Sequence, residues 1–425
     1  MRFYSMPPSL RQDPPPAWPP AQEDIGRLAE RAEVRSANAW FRTHEAQLAD
    51  WQLALSRIPA PPLGEAARAS WLKERFQELR LEETHTDEVG NVFGILPGTD
   101  KQFVALSAHL DTVFPAGTPL NVRQTGNRLY GPGVSDNGAG VTALLAIAAV
   151  LREGKIFPNG SILFVGNVGE EGEGNLCGMR HIFSVPRWKQ SIRYSVVLDG
   201  AGSDTIVAEA LGSRRFEVIV LGPGGHSWSD FGAPNPILVL ARTLHRFAQT
   251  PLPSTPKTTF NVGVIRGGTS VNSIPESASM RIDIRSTSMA EMERLEAALR
   301  HALESAIEEE AGDAQRRNPS QRRSSGLSHE LIAIGNRPAG ELEPGARLMK
   351  VIRAVDAYLG NPAQIQRAST DANIPLSLGR EAIAIGGGGA GGGAHTLQEW
   401  FDGSGRELGL KRILLTVLVL AGLAE

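Results

Sequence analysis

Residues 103–140 open on the apolar run F-V-A-L (103–106), continue S-A-H-L-D-T-V-F-P-A-G (107–117), and after a polar stretch close with G-P-G-V-S-D-N-G-A-G (131–140). The run 103–106 reads as a buried strand, and just beyond it come His109 and Asp111. The Gly-rich turn around Asp136 leads into the helical spacing of 141–151, so a strand end meets a helix start. His and Asp at alternate positions suit a metal ligand whose second ring nitrogen is held by a carboxylate. H-x-D is also a common tripeptide and Asp136 a possible helix cap, so the neighbouring segments must decide.

Working outward, short apolar runs alternate with helical ones: 103–106, helix 141–152, 162–165 and 194–198. This is the pattern of an α/β domain with a mainly parallel sheet flanked by helices. Upstream, 24–80 is helical, broken by P-A-P-P at 59–62, and 88–96 reads as strand, turn, strand; residues 1–21 form a Pro-rich tail. From Ser213 the order becomes strand 216–221, helix 236–248, strands 258–265 and 279–285, helix 289–309, a polar linker 311–326 and strand 330–334. β-α-β-β-α-β is a small α+β, ferredoxin-like sandwich with one open sheet face. The first pattern resumes with helix 344–358, strand 382–385, a glycine run and an apolar helix at 413–424. The expected division is a catalytic domain in two parts, 22–212 and 341–425, with a lid and dimerisation domain inserted at 213–340.

The 425 residues suffice for two domains, and 41% hydrophobic with 21% charged residues is an ordinary globular composition. A formal charge of −3 offers no basic field for nucleic acid, and Arg316, Arg317, Arg322 and Arg323 read as a solvated loop cluster. The run 413–424 is too short to span a bilayer, and the N-terminus shows no apolar signal region. With Cys177 as the one cysteine, a disulfide within the chain is excluded and a cytoplasmic setting is expected.

Several apolar runs of the larger domain end in a metal-ligand type of residue. Run 103–106 delivers His109 and Asp111, 162–165 delivers Glu170 and Glu171, 194–198 delivers Asp199, and 382–385 delivers His395 after its loop. Open α/β sheets bind ligands beyond the carboxyl ends of their strands, so these groups are expected at one edge. Two histidines and three carboxylates suit zinc, with cobalt or manganese as substitutes. Two cations about 3.5–4 Å apart need a bridging anion, for which Asp136 is the candidate. Of the adjacent Glu170 and Glu171, one can bind metal while the other works on water.

These residues resemble the dinuclear zinc exopeptidases and deacylases that include aminoacylase, carboxypeptidase G, peptidase T and the dipeptidases. The matching pieces are S-A-H-L-D-T, Y-G-P-G-V-S-D-N-G-A-G, N-V-G-E-E-G-E-G-N-L-C-G-M-R-H, V-L-D-G, G-G-H-S, N-S-I-P, D-I-R-S, S-T-D-A-N and A-H-T-L-Q-E-W, in family order from about residue 25 onward. The resemblance implies two zinc ions per subunit, one on His109, Asp136 and Asp199, the other on Asp136, Glu171 and His395. It also implies that Asp111 orients His109 and that Glu170 is the general base of amide hydrolysis. His226 and Asn272 are nominated as oxyanion and substrate contacts, and Arg285 as the anchor of a substrate carboxylate. Asp199 and G-M-R-H point to peptidase T-like members, hence to an exopeptidase acting on di- or tripeptides. An N-acyl amino acid deacylase or a carboxypeptidase is the alternative.

A homodimer through the lid is expected, with no membrane or nucleic-acid partner. In it, strand 216–221 is expected to pair across a two-fold axis and His226 to reach the partner's site. The glycine run 386–393 lacks the Lys and Ser/Thr of a phosphate loop and is read as lending amides to a substrate carboxylate. Cys177 and His181 lack an orienting third group for thiol catalysis, and no G-x-S-x-G is present.

Overall fold

The computed structural model describes residues 22–318 and 326–423. The Pro-rich tail and two arginines of the basic cluster, Arg322 and Arg323, lie outside the described residues. Helices Gln22–Ala29, Ala32–Thr43, Glu45–Ser56 and Ala66–Glu78 lead in, the last set apart by the proline-rich turn.

The larger sheet has nine strands and is parallel at its centre. Asp100–His109 lies between Gly160–Asn167 and Ile192–Leu198, and Glu381–Ile385 joins the far side of Ile192–Leu198. Antiparallel pairs extend the margins, with Val92–Leu96 and Glu82–Thr86 on one side and Thr205–Ala210 and Gly340–Glu341 on the other, where Gln364–Ala368 also pairs in parallel with Thr205–Ala210. Side-chain alternation decides which layer each residue meets. Val104, Leu106 and Ala108 share a core with the helices Gly138–Glu153 and Arg406–Ala421, while Phe103 and Ala105 meet Ile182 and Trp188 opposite.

Helix Gly138–Glu153 is buried continuously from Gly138 to Leu151, which accounts for a sequence apolar all round. It begins at Gly138 rather than 141 because Asn137 caps it, Oδ1 accepting from the Gly140 N–H at 3.0 Å. The same side chain donates to the Leu198 carbonyl at 2.9 Å and accepts from the Gly200 N–H at 3.0 Å. One residue thereby fastens the helix start to the strand end that carries Asp199. Of the apolar run 413–424, residues 413–421 belong to the largely buried helix Arg406–Ala421 and residue 424 lies outside the described residues; no helix of the described residues is long and apolar enough to cross a membrane.

The second sheet is antiparallel, in the order Thr258–Gly267, Ser277–Ser286, Gly212–Leu221, Ser328–Arg337. Helices Pro236–Phe247 and Met289–Arg317 cover one face, where Phe216, Val218, Met280 and Ile282 pack against Leu295 and Leu299. Two expectations fail here. Strand Gly212–Leu221 is internal, hydrogen-bonded on both sides, so it cannot pair with another chain; the edges are Thr258–Gly267 and Ser328–Arg337. Alternating burial reveals that a strand has one covered face, but says nothing of its neighbours. The expected linker from 311 begins as helix up to Arg317, because Arg242 and Arg317 reach the buried Glu310 at 2.9 and 2.7 Å, and Arg242 reaches Asp313 at 2.6 Å. Arg316 and Arg317 are thus helical, not loop residues.

A small third sheet joins Ala390–Gly392 and Trp400–Asp402 to Arg128–Tyr130 and Arg123–Thr125. It explains the glycine run differently from a substrate cradle. A Cβ on Gly386, Gly388 or Gly391 would come within 2.4 Å of the Ala201 carbonyl, 2.4 Å of the Arg406 carbonyl or 2.2 Å of Ser135 Oγ. These glycines let the chain press against the body of the domain.

Candidate metal centre

His109 is the last residue of Asp100–His109, Asp199 directly follows Ile192–Leu198, and Glu170 and Glu171 lie just past Gly160–Asn167. His395 comes from the turn after Ala390–Gly392, and Asp136 precedes the cap of helix Gly138–Glu153. All meet at the carboxyl edge of the parallel strands. His109 Nε2 is 3.2 Å from Asp136 Oδ1 and 3.7 Å from Asp199 Oδ1. His395 Nε2 is 3.1 Å from Asp136 Oδ2 and 3.0 Å from Glu171 Oε1. Two donor groups with metal-binding spacing therefore share Asp136, namely His109, Asp136, Asp199 and Asp136, Glu171, His395; His109, Glu170, Glu171 form a third.

The donor set fits a pair of cations on an observation independent of spacing. Asp136 Oδ1 is buried and its 3.2 Å contact with His109 Nε2 lacks hydrogen-bond geometry, a costly state for a carboxylate oxygen unless a cation takes its lone pairs. Burial alone would raise Asp136, yet His109 and His395 hold its carboxyl well below the usual carboxylate range. The partners respond in kind: Asp136 and Glu171 carry His395 up to about 9, and His109, despite burial, is raised by Asp111, Asp136 and Asp199.

Asp111 performs two tasks. His109 Nδ1 lies 3.1 Å from the Asp111 carbonyl oxygen and 3.5 Å from its carboxylate, so Nδ1 carries a proton and Nε2 faces the cluster. The carboxylate also accepts from the Glu170 and Glu171 N–H groups at 3.0 and 2.6 Å, setting the chain direction where those two side chains diverge.

Three further residues escaped sequence reasoning. Glu399, four places after His395 in A-H-T-L-Q-E-W, is fully buried and accepts from the N–H groups of Gly133, Ser135 and Asp136 at 2.8, 2.7 and 2.7 Å. It holds the loop that presents Asp136, and burial raises its carboxyl to about 7. Asp371 of S-T-D-A-N is fully buried, accepts from Asn167 Nδ2 at 2.6 Å, and is raised to about 7 by burial. Arg337, the last residue of Ser328–Arg337, donates from Nη1 to Glu170 Oε1 at 2.9 Å and from Nη2 to the Glu170 carbonyl. Burial raises Glu170 well above the ordinary carboxylate range, against the opposing charges of Arg337 and His109. An acid inside an otherwise quoted motif was a usable signal for Glu399; Arg337, 167 residues from its partner, had none.

A chamber of about 520 Å³ opens over the cluster. Its floor holds Asp136, Glu170, Glu171, Asp199 and His395, and the lid contributes Arg215, Arg285 and Arg337. Of the lid residues expected at the site, Arg285 is there, whereas His226 and Asn272 do not line the chamber. They sit together, exposed, at the short antiparallel pair Gly225–His226 with Ser273–Ile274, with His226 Nδ1 accepting from the Trp228 N–H at 3.2 Å. A larger cavity of about 640 Å³, around Glu217, Arg266 and Ser273 on the lid, contains none of the ligand candidates, so the chemistry is assigned to the smaller one. Cys177 and His181 also lie outside the chamber, both on helix Cys177–Ser184.

Residues 91–212 match Peptidase family M28, and residues 209–311 match the Peptidase dimerisation domain. The chain is 24% identical to Uncharacterized protein YqjE of Bacillus subtilis over 362 residues, 80% of this chain and 90% of that protein. It is 30% identical to Succinyl-diaminopimelate desuccinylase of Rhodospirillum centenum over 246 residues, 53% of this chain and 62% of that protein. In fold it is similar to the aminopeptidase PepT of Bacillus cereus, with a TM-score of 0.68 at 21% identity, covering 88% of this chain and 98% of that one. It is also similar to the Bacillus subtilis YXEP protein, described as a dinuclear metal binding peptidase, with a TM-score of 0.64 at 14% identity, covering 89% and 99%. The first match is to a family of peptidases, hydrolases that act on peptide bonds, and the second to a domain through which peptidases dimerise.

Proposed function

We propose that this peptidase is a metal-dependent exopeptidase that holds di- or tripeptides by their free carboxylate and hydrolyses one amide bond. The observation that carries the reading is Asp136, shared between two donor groups with one buried oxygen unpartnered, on the floor of a chamber whose lid side is arginine. His109, Asp136 and Asp199 would hold one cation, and Asp136, Glu171 and His395 the other, with zinc the natural fit to this donor set and cobalt or manganese as substitutes. When bound, the pair supplies Lewis acidity, polarising the scissile carbonyl and lowering the pKa of water.

The chain's own residues do the rest. Arg337 occupies Oε1 of Glu170 and leaves Oε2 to take the proton of the attacking water; burial favours that protonated form. Protonated Glu170 then delivers the proton to the leaving amine. Asp111 keeps the His109 tautomer and the course of the Glu170–Glu171 backbone fixed through both transfers. Arg285 anchors the substrate carboxylate. His226 and Asn272, outside the chamber of their own chain, act in the site of a partner chain within a homodimer, where they stabilise the oxyanion. The unpaired Cys177 supports a cytoplasmic setting.

A specific observation favours N-acyl amino acids or a carboxypeptidase substrate as a second reading. The carboxylates lining the chamber are Asp136, Glu170, Glu171 and Asp199, all committed to cations or to proton transfer, which leaves none for a substrate ammonium among the described residues. A tripeptide series set against N-acetyl amino acids, with products read by mass spectrometry on the zinc-loaded protein, separates the two. Exclusive release of acetate would exclude the peptidase reading, and hydrolysis of neither class would exclude both.

A further inference from the structure

Above the candidate metal ligands, the uncovered face of the lid sheet carries an arrangement that a single carboxylate anchor does not need. Arg215 and Asp283 are register partners on adjacent strands, and Arg285 lies two residues beyond Asp283 on the same side of its strand. Arg285 Nε donates to Asp283 Oδ2 at 2.7 Å, Arg215 Nε stands 3.5 Å from Asp283 Oδ1, and Ser213 Oγ donates to that oxygen at 3.2 Å. Both guanidinium groups are thus held at their Nε ends. Their Nη atoms make no hydrogen bond among the described residues, and both side chains line the chamber. Gly335 on the neighbouring strand leaves room for Arg215, since a Cβ there would lie 3.2 Å from Arg215 Cδ.

Two guanidinium groups share one carboxylate, which leaves one positive charge and two sets of free N–H donors. An incoming carboxylate neutralises that charge and matches the fork geometry. We propose that Arg215 and Arg285 form one carboxylate slot, built on Asp283, and that Arg215 is a specificity-determining residue that admits substrates with a free carboxylate and refuses their carboxamides. A carboxamide would turn an N–H₂ donor toward arginine donors and leave them unpaired. This inference rests on the reading of the chamber as an amide-hydrolysing site that anchors its substrate by a carboxylate.

The test measures binding and turnover separately on zinc-loaded wild type, Arg215→Gln, Arg285→Gln and the double variant. Calorimetry uses N-acetylglycine and N-acetylglycinamide as probes. Each single variant is expected to weaken N-acetylglycine by about tenfold or more and to leave the amide unchanged, with the double variant losing less than the product of the singles because both residues grip one group. For a hydrolysed peptide the loss should fall on KM, with kcat within about threefold. Arg215→Gln that binds the acid like wild type, or that weakens acid and amide alike, overturns the proposal. Both positions are part-exposed, and an unchanged melting temperature confirms folding. Protein that shows the acid preference but hydrolyses no amide rejects the proposed activity and keeps the slot. Hydrolysis with unchanged acid binding in Arg215→Gln does the reverse.

Discussion

Arg337 Nη1 lies 2.9 Å from Glu170 Oε1, so the last residue of a lid strand is ion-paired to the candidate general base on the floor of the chamber. The pair is buried on both sides, where removing one partner strands the other charge.

Replacing Arg337 by Ala is therefore expected to lower kcat by about tenfold or more with metal content intact, because an unpaired Glu170 holds its proton too firmly to act as a base. Added guanidinium should restore part of the loss, as a small cation can re-enter the vacated space. Wild-type kcat in the variant, or no response to guanidinium, would count against this role.

Glu170→Gln keeps a nearly isosteric side chain that cannot accept a proton. Turnover should fall on the order of a hundredfold or more, in kcat rather than KM, while elemental analysis still finds the metal. Activity within a few-fold of wild type removes Glu170 from the base role.

Cation uptake should release protons. In the metal-free protein Asp136 and Glu171 raise His395 to about 9 and neighbouring carboxylates raise His109 as well, so both rings favour the protonated form and must give up protons to bind metal. Apparent affinity should thus rise as pH rises toward 9, and calorimetric heats should vary with the ionisation enthalpy of the buffer. For stability the sign is opposite. A histidine raised in the folded state stabilises fully below its unfolded value of about 6.5 and loses that contribution as pH climbs through the folded one. Chelated protein should melt at lower temperature between pH 6.5 and 9, and a flat profile would contradict protonated histidines in the cluster.

Inactive His226→Ala subunits mixed with inactive Glu170→Gln subunits should regain activity on exchange, since one site of the mixed dimer holds both intact groups. The exposed position of His226, away from its own chamber, motivates this. No recovery despite demonstrated heterodimers would rule out donation between chains.

His109, Asp199, Glu170 and Glu171 could be picked out because each follows an apolar run, and parallel strands bring their carboxyl ends to one edge whatever the loops do. The same logic located the lid, whose alternating strands and amphipathic helices are separate from the first pattern. Strand order was beyond its reach: period-two burial in 216–221 identifies a face, and an internal strand looks the same as an edge. Glu399 acts on backbone N–H groups of 133–136, and a carboxylate serving main-chain donors leaves no complementary residue type to search for. Arg337 depends on how the lid meets the body and the Arg215–Asp283 contact on which lid strands are neighbours, and no local window contains either.

The parallel pairing of Glu381–Ile385 with Ile192–Leu198 joins segments that are separated in the chain by the whole lid sheet, Gly212–Arg337. On a ribosome, where folding proceeds from the N-terminus, the flank of Ile192–Leu198 waits unpaired while the lid is made, and His395 emerges later still. His109, Asp136 and Asp199 all precede the lid in the chain, whereas the group of Asp136, Glu171 and His395 stays incomplete until the last segment is made. The second donor group is therefore completed by the same late C-terminal part of the chain that fills the open flank of the sheet.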